Sequence, residues 1–359
     1  MKNRREFLKT ATATVGALGL ASTLSQASEK DASPRKHEGD IATETGSRID
    51  VHHHIIPVGY VDALAANGVT GSMGLRFPDW SVQKDLELMD RLGIQTAVTS
   101  LTGPAANVPD PKEARRIARL CNDFAAKMIS DHPNRYGAFV TVPPLTDTEG
   151  VLGEIVYGLD TLKFDGVCLM TNYQLKYLGD SGFDEIYKEL NRRKAVVHIH
   201  PDNPPCLQLS MPGGLMDVPF DTTRTATNLI CSGTMERYPD ITFILAHGGG
   251  TLPYLSFRIG EGVPFMWKGF RENAPKGFYA YLNQFYFDTA IVGPTIFPFL
   301  HKQVGSGHLL VGTDFPFAPP PVIGQSLKGI DAYDGIDSRA RKAILETNAK
   351  SLLPRLGKA

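Results

Sequence analysis

Short apolar runs, each followed by a longer stretch of helical period, recur along residues 49–313. The strand candidates are 49–55, 95–101, 136–143, 164–169, 195–199, 241–246, 284–289 and 308–313. The clearest helical segments are 81–92, 112–131, 183–193 and 222–237. Runs such as "AVVHI" and "ITFILA" are apolar on both parities, the mark of strands covered on both faces. Parallel strands cannot be joined by a tight turn, so each needs a crossover, usually a helix. Repeating that unit over residues 48–359 closes a parallel (β/α)8 TIM barrel as a single domain. An open doubly wound sheet is the rival, but no GxGxxG follows the first strand.

The chain of 359 residues has a net charge of −1, 42% hydrophobic and 21% charged residues, which is ordinary globular composition. Near-neutral charge without a basic stripe argues against nucleic acid as a partner. No run is long and apolar enough to read as a membrane span. Cys121, Cys168, Cys206 and Cys231 show no CxxC spacing and read as buried thiols.

The first residues are of another kind. Arg4 and Arg5 precede Phe7-Leu8-Lys9, a mildly apolar run over 10–24 follows, and small residues at Ser25 and Ala27 offer a cleavage site. The expectation is a twin-arginine export signal over 1–27, a polar tether over 28–47, and a periplasmic location. That route carries folded proteins, often with metal already loaded, so it raises the expectation of a metalloprotein.

A barrel concentrates functional groups at the C-terminal ends of its strands. The first strand ends in His52-His53-His54, and alternation places His52 and His54 on one side and His53 on the other. If the pair points inward, it forms an HxH grip on one ion, and His53 packs outward against helices. The fifth strand ends at His200, with His198 one layer deeper as a core or supporting residue. The sixth ends at His247 before three glycines, and the eighth at Asp314. Each has a bland explanation alone; their convergence on one rim does not. Three neutral imidazoles and a carboxylate suit one divalent cation, zinc or alternatively manganese, with an open position for water or substrate. His52, His54, His200 and Asp314 are the expected ligands, and His247 the neighbouring proton-handling group. The fourth strand offers no lysine to bridge a second ion.

The ordered set "IDVHHH", "HIHP", "AHGGG" and "GTDFPF" resembles the amidohydrolase-related decarboxylases, the aminocarboxymuconate semialdehyde and resorcylate types. The resemblance runs from about residue 48 to about residue 353, and "FDTTRTATNLICSGTMERYPD" and "TNYQLKYLGD" look nearest to 6-methylsalicylate decarboxylases. It implies one divalent metal on His52, His54, His200 and Asp314, with His247 and Asp314 catalytic. Arg258, eleven residues beyond His247, matches an arginine that in relatives reaches a neighbouring subunit's site, which implies a homodimer. Arg76, on the loop after the first strand, is the candidate for the relatives' substrate-binding arginine, although that stretch aligns only with a gap. Phe77, Trp80 and Tyr173 are candidate walls of an aromatic pocket.

The expected activity is non-oxidative decarboxylation of a small aromatic or muconate-type carboxylic acid, with the metal chelating the substrate and Asp314 delivering the proton. The alternative keeps the site and changes the reaction, to metal-dependent hydrolysis of a lactone, ester or amide, or to hydration. A third reading, an exported metal-binding barrel without activity, sits poorly with a full set of strand-end ligands.

Overall fold

The structure, a computed structural model, describes residues 47–202 and 211–357. The leader expected over 1–27, nearly all of the tether over 28–47, and Cys206 lie outside the described residues. Eight parallel strands form the barrel in sequence order: β1 (Arg48–His54), β2 (Ile94–Ser100), β3 (Tyr136–Thr141), β4 (Gly166–Met170), β5 (Val196–His200), β6 (Thr242–Leu245), β7 (Tyr286–Asp288) and β8 (Leu309–Leu310). The ring closes where β1 meets the segment after β8. There Val51 N–H donates to the Val311 carbonyl at 2.9 Å and His54 N–H to that of Phe315 at 2.7 Å. The expected closed barrel is therefore present, with every strand starting within two residues of its expected start and the last ending early, at Leu310.

Local chemistry explains the punctuation. Helix α1 (Val82–Leu92) starts where Ser81 Oγ accepts the Lys84 N–H and stops at Gly93, whose φ of 65° places it in the left-handed region. β2 then begins at once. Helix α2 (Pro111–Asp131) opens with proline at its first position and Asp110 capping the Lys112 N–H. Helix α3 (Asp217–Cys231) starts before the expected 222 and ends short of 237, because Gly233 at φ 77° breaks the run and a separate turn spans Thr234–Arg237. Helix α4 (Leu252–Met266), hidden in sequence by its weak periodicity, follows the triple glycine.

The two rims differ in role. At the N-terminal end, fully buried Arg48 donates to the Leu92 carbonyl at 2.9 Å and pairs with Asp331 at 2.7 Å, a latch between the first strand and the last third of the chain. Near the C-terminal end of β1, outward-facing His53 donates from Nδ1 to Asp50 Oδ2 at 2.8 Å and from Nε2 to Asp85 Oδ1, on α1, at 2.6 Å. Asp50 also accepts from Thr313 Oγ1, Thr313 N–H and His52 N–H, while Tyr136 O–H reaches Asp85. This network is a fully buried joint linking β1, α1, β3 and the turn that carries Asp314. As expected, His53 faces the helices.

Burial alone would lower the His53 pKa, but Asp85 and Asp50 outweigh it and hold the imidazole up to about 10. A group raised in the folded state stabilises fully below its unfolded pKa of 6.5 and loses that contribution as pH climbs toward 10. The alkaline decline in melting temperature across that window should therefore shrink in a His53→Gln variant, which should also be less stable than wild type at pH 6. Thermal unfolding at a series of pH values checks this; parallel curves for the two proteins would contradict the assignment.

Candidate metal centre

Alternation along β1 turns His52 and His54 into the barrel, and the remaining groups arrive from the ends of β5, β6 and β8. His52 Nε2 lies 3.1 Å from His54 Nε2, and Asp314 Oδ1 lies 3.0 Å from His54 Nε2 and 3.4 Å from His52 Nε2. The His200 ring centroid is 4.6 Å from that of His54 and 5.0 Å from that of His52. His247 Nε2 stands 3.3 Å from Asp314 Oδ2. One donor atom each from His52, His200, His247 and Asp314 falls within 4.8 Å of the others. The strand-end histidines His52, His54, His200 and His247 and Asp314 are gathered at one point.

His200 makes the case for a cation most sharply. Its Nδ1–H donates to the Pro201 carbonyl at 2.8 Å, which leaves a lone pair on Nε2. That Nε2 is buried and finds no hydrogen-bond partner among the described residues. An orphaned buried acceptor costs about 1–3 kcal/mol, so something positive is wanted where it points. The charges agree. Burial works against the His52 cation, yet Asp288 and Asp314 beside it hold the ring up to about 10. Burial pushes His54 down to about 4 and His200 well below the ordinary histidine value, so both present lone pairs. Burial disfavours charge on Asp314 too, but hydrogen bonds from His247, His52 and His54 keep its carboxyl well below the usual carboxylate range. A bound cation would displace the Nε2 proton of His52 and take over its positive charge, leaving Nδ1–H on Asp288. Three imidazoles and a carboxylate fit one divalent ion such as zinc or manganese.

Backbone geometry delivers two of these groups. His247 (φ 54°) and Asp314 (φ 61°) both occupy the left-handed region, unusual for residues other than glycine. After His247, a Cβ on Gly250 (φ 64°) would lie 2.0 Å from the Pro219 carbonyl oxygen, so the triple glycine allows α3 to approach the elbow.

A cavity of about 500 Å³ opens from this point. Leu215, Val218, Ile291, Val292, Ile296, Phe317 and Val322 supply most of its wall, with Ser72 and Thr102 hydroxyls on one side and His200, His247 and Asp314 at the base. Among the described residues, neither lysine nor arginine lines it. Arg76 is exposed and lies outside that lining, because the bridge between Ser72 and Leu75 turns those two residues toward the cavity and leaves the next one in solvent. Arg258 is exposed on α4, also outside the lining. The three aromatics expected as walls pack elsewhere. Phe77 meets Tyr60 and Phe317, Trp80 meets Phe124, and the Tyr173 hydroxyl oxygen accepts the Met170 N–H within the core. Phe317, three residues past Asp314, is the aromatic that lines the cavity.

Two features are missed by reasoning from sequence. Ser72 and Thr102 lie in loops without a motif. Asp288, at the end of β7, is fully buried and touches His52 and His198; an aspartate ending "FYFD" carries the same strand-end signal as Asp314. The thiols read as buried are so at Cys121 and Cys168, with Cys231 half-buried, and burial raises all three.

The profile of the amidohydrolase family matches residues 49–355. The chain belongs to that family. This amidohydrolase is similar to the decarboxylase yanB of Aspergillus niger, 38% identical over 327 residues that cover 86% of this chain and 88% of the relative. It is also similar to the 6-methylsalicylic acid decarboxylase of Penicillium expansum, 37% identical over 317 residues covering 86% and 97% of the two chains. Among solved structures, a 2,6-dihydroxybenzoate decarboxylase complexed with 2,6-dihydroxybenzoate superposes with a TM-score of 0.70 at 25% identity, over 86% of this chain and 100% of that one.

If the orphaned Nε2 of His200 marks the cation site, truncating it should empty that site. A His200→Ala variant purified beside wild type should fall from about one bound divalent ion per chain to a small fraction of that. Elemental analysis gives the count, and circular dichroism should show the barrel retained. Equal metal content in the two proteins would be incompatible with this placement.

Proposed function

We propose that this amidohydrolase is a metal-dependent decarboxylase of a small aromatic acid bearing a hydroxyl beside its carboxylate, of the 6-methylsalicylate type. One observation carries the reading: a largely apolar cavity, with no lysine or arginine in its wall among the described residues, opens onto a cluster of imidazoles and a carboxylate. A buried carboxylate is costly by several kcal/mol unless a cation meets it. In this cavity that cation has to sit at the base, among His52, His54, His200 and Asp314. The apolar wall then receives an aromatic ring, and the volume lies in the range of ordinary small-ligand sites. The names of the two fungal relatives point the same way.

His52, His54, His200 and Asp314 would hold the ion, which when bound supplies Lewis-acid chemistry at the substrate's carboxylate and hydroxyl oxygens. The remaining work falls to this chain's own groups. Ser72 and Thr102 offer hydroxyls along the ring's edge, and Val292, Ile296 and Val322 exclude water from the ring. Asp314 rests as an anion, so it must take a proton before it can give one. His247 Nε2, 3.3 Å away, is in position to hand it over. The proton passes from His247 to Asp314 and on to the ring carbon that carries the carboxylate. The bond from that carbon to the carboxylate then breaks, its electrons restore the aromatic ring, and carbon dioxide leaves. His247 Nδ1, buried and without a partner among the described residues, is the nitrogen through which the proton is replaced.

The assembly is part of the same proposal. Around Arg258, helix α4 and its end expose Tyr254 (79%), Phe257 (74%), Phe265 (86%) and Met266 (89%). We take this apolar face to be covered by a second copy in a homodimer, with Arg258 at the joint. The export signal read from Arg4 and Arg5 would place the dimer in the periplasm.

Incubation with a panel of hydroxybenzoic acids should release carbon dioxide and the matching phenol, most readily from 6-methylsalicylate. Acid release from lactones without carbon dioxide would instead establish the hydrolase. An Asp314→Asn variant should lose on the order of 10²–10⁴-fold in turnover through loss of its proton transfer while keeping part of its metal. Wild-type rates in that variant would remove Asp314 from the role. In size-exclusion chromatography with light scattering, Phe257→Asp should shift the protein from dimer to monomer; a monomeric wild type would end the dimer reading.

A further inference from the structure

Asp288 is the acidic side chain near the centre that the mechanism above leaves unused. It ends β7, a strand of three residues, and none of its surface is exposed. Its two oxygens face different partners. Oδ2 accepts from His52 Nδ1–H at 2.9 Å and from His198 Nε2–H at 3.1 Å. Oδ1 accepts the backbone N–H of His247 at 3.0 Å and that of Ala290 at 3.0 Å. His198 is itself fixed from its other side by a stacked contact with Phe139, with centroids 5.5 Å apart and planes 9° from parallel.

Each oxygen therefore settles one question. A carboxylate at Nδ1 places the His52 proton there, so the lone pair of the ring sits on Nε2, the nitrogen that faces His54 and Asp314. A carboxylate at the His247 N–H holds that residue in the left-handed elbow, which directs the imidazole at Asp314 rather than away from it. We infer that Asp288 is a positioning residue that couples the two halves of the centre: through Oδ2 it sets the nitrogen that His52 offers to the ion, and through Oδ1 it aims the proton-handling His247. The inference rests on the reading of His52 as a ligand, and it assigns Asp288 itself to neither metal nor substrate.

The hydrogen bonding supports it: each of the two Asp288 oxygens faces two N–H groups. Satisfied by these ring and backbone N–H groups, the carboxylate needs no cation of its own.

An amide cannot do the same. Asparagine has one accepting oxygen and one donating nitrogen, so whichever way it turns, either the two rings or the two backbone N–H groups face a donor. Asp288→Asn should keep the circular dichroism of the barrel. Its zinc dissociation constant, measured by chelator competition, should rise on the order of 10–100-fold. At saturating zinc, kcat on the acid that the wild type decarboxylates should still fall on the order of tenfold or more, with KM little changed. Zinc-loaded wild type labelled with ¹⁵N-histidine should show His52 as the Nδ1–H tautomer, a readout that needs no variant and decides the matter if Asp288→Asn fails to fold.

Wild-type zinc affinity in the variant, or an Nε2–H tautomer at His52, overturns the inference and leaves the metal centre standing. A second zinc held by His52, His198 and Asp288 would overturn it as well, by making Asp288 a ligand. Failure of the wild type to bind zinc or manganese would bring down the centre and this inference together.

Discussion

Buried carboxylates that must find donors organise the catalytic rim of this barrel. Asp50, Asp288 and Asp314 are each under a tenth exposed, and each reaches across strands to meet its partners. A lone carboxylate in such a place costs several kcal/mol, so each one drags its donors into register. Asp50 ties β1 to the turn after β8, Asp288 ties β7 to β1, β5 and the β6 elbow, and Asp314 ties that turn back to β1 and to His247. The strands themselves are held by hydrophobic burial and ladder hydrogen bonds. What the carboxylates add is precision at one end, and the ends that they join are the ends that carry the histidines.

That division explains how much of the molecule is legible in the chain itself. Parallel strands covered on both faces announce themselves by apolar runs, and the histidines at their tips by parity, so the barrel and the gathering of His52, His54, His200, His247 and Asp314 can be read directly. Asp288 is legible in principle, since it ends a strand as Asp314 does; it is easily passed over because "FYFDT" carries no histidine or glycine to draw attention. The cavity wall is not legible. Ser72, Thr102, Ile291 and Ile296 come from loops whose course depends on contacts with distant segments, and no periodicity reports them. The same limit misplaces Phe77 and Trp80, which are apolar enough to seal a core and do so. A charged loop residue such as Arg76 obeys the simpler rule and stays in water.

The chemistry of the wall and the chemistry of the base are complementary. The base concentrates fixed positive and negative groups within a few bond lengths, where low exposure strengthens every interaction. The wall contributes little polarity among the described residues, so specificity toward a ligand has to come from shape and from the loss that a buried, unpartnered hydroxyl would suffer against Val292, Ile296 or Val322. An enzyme so built can be retuned toward other substrates by changing loop side chains, with the charged cluster left untouched.

The left-handed backbone at His247 and Asp314 has a consequence for how such a protein ages under selection. Glycine would occupy either position with less steric penalty, and replacements that relax a positive φ are among the ordinary routes to a hardier fold. Here those routes erase the imidazole or the carboxylate. Variants chosen for ruggedness alone would drift toward an inert, heat-resistant cylinder, and only demand for turnover keeps the two bent residues in place.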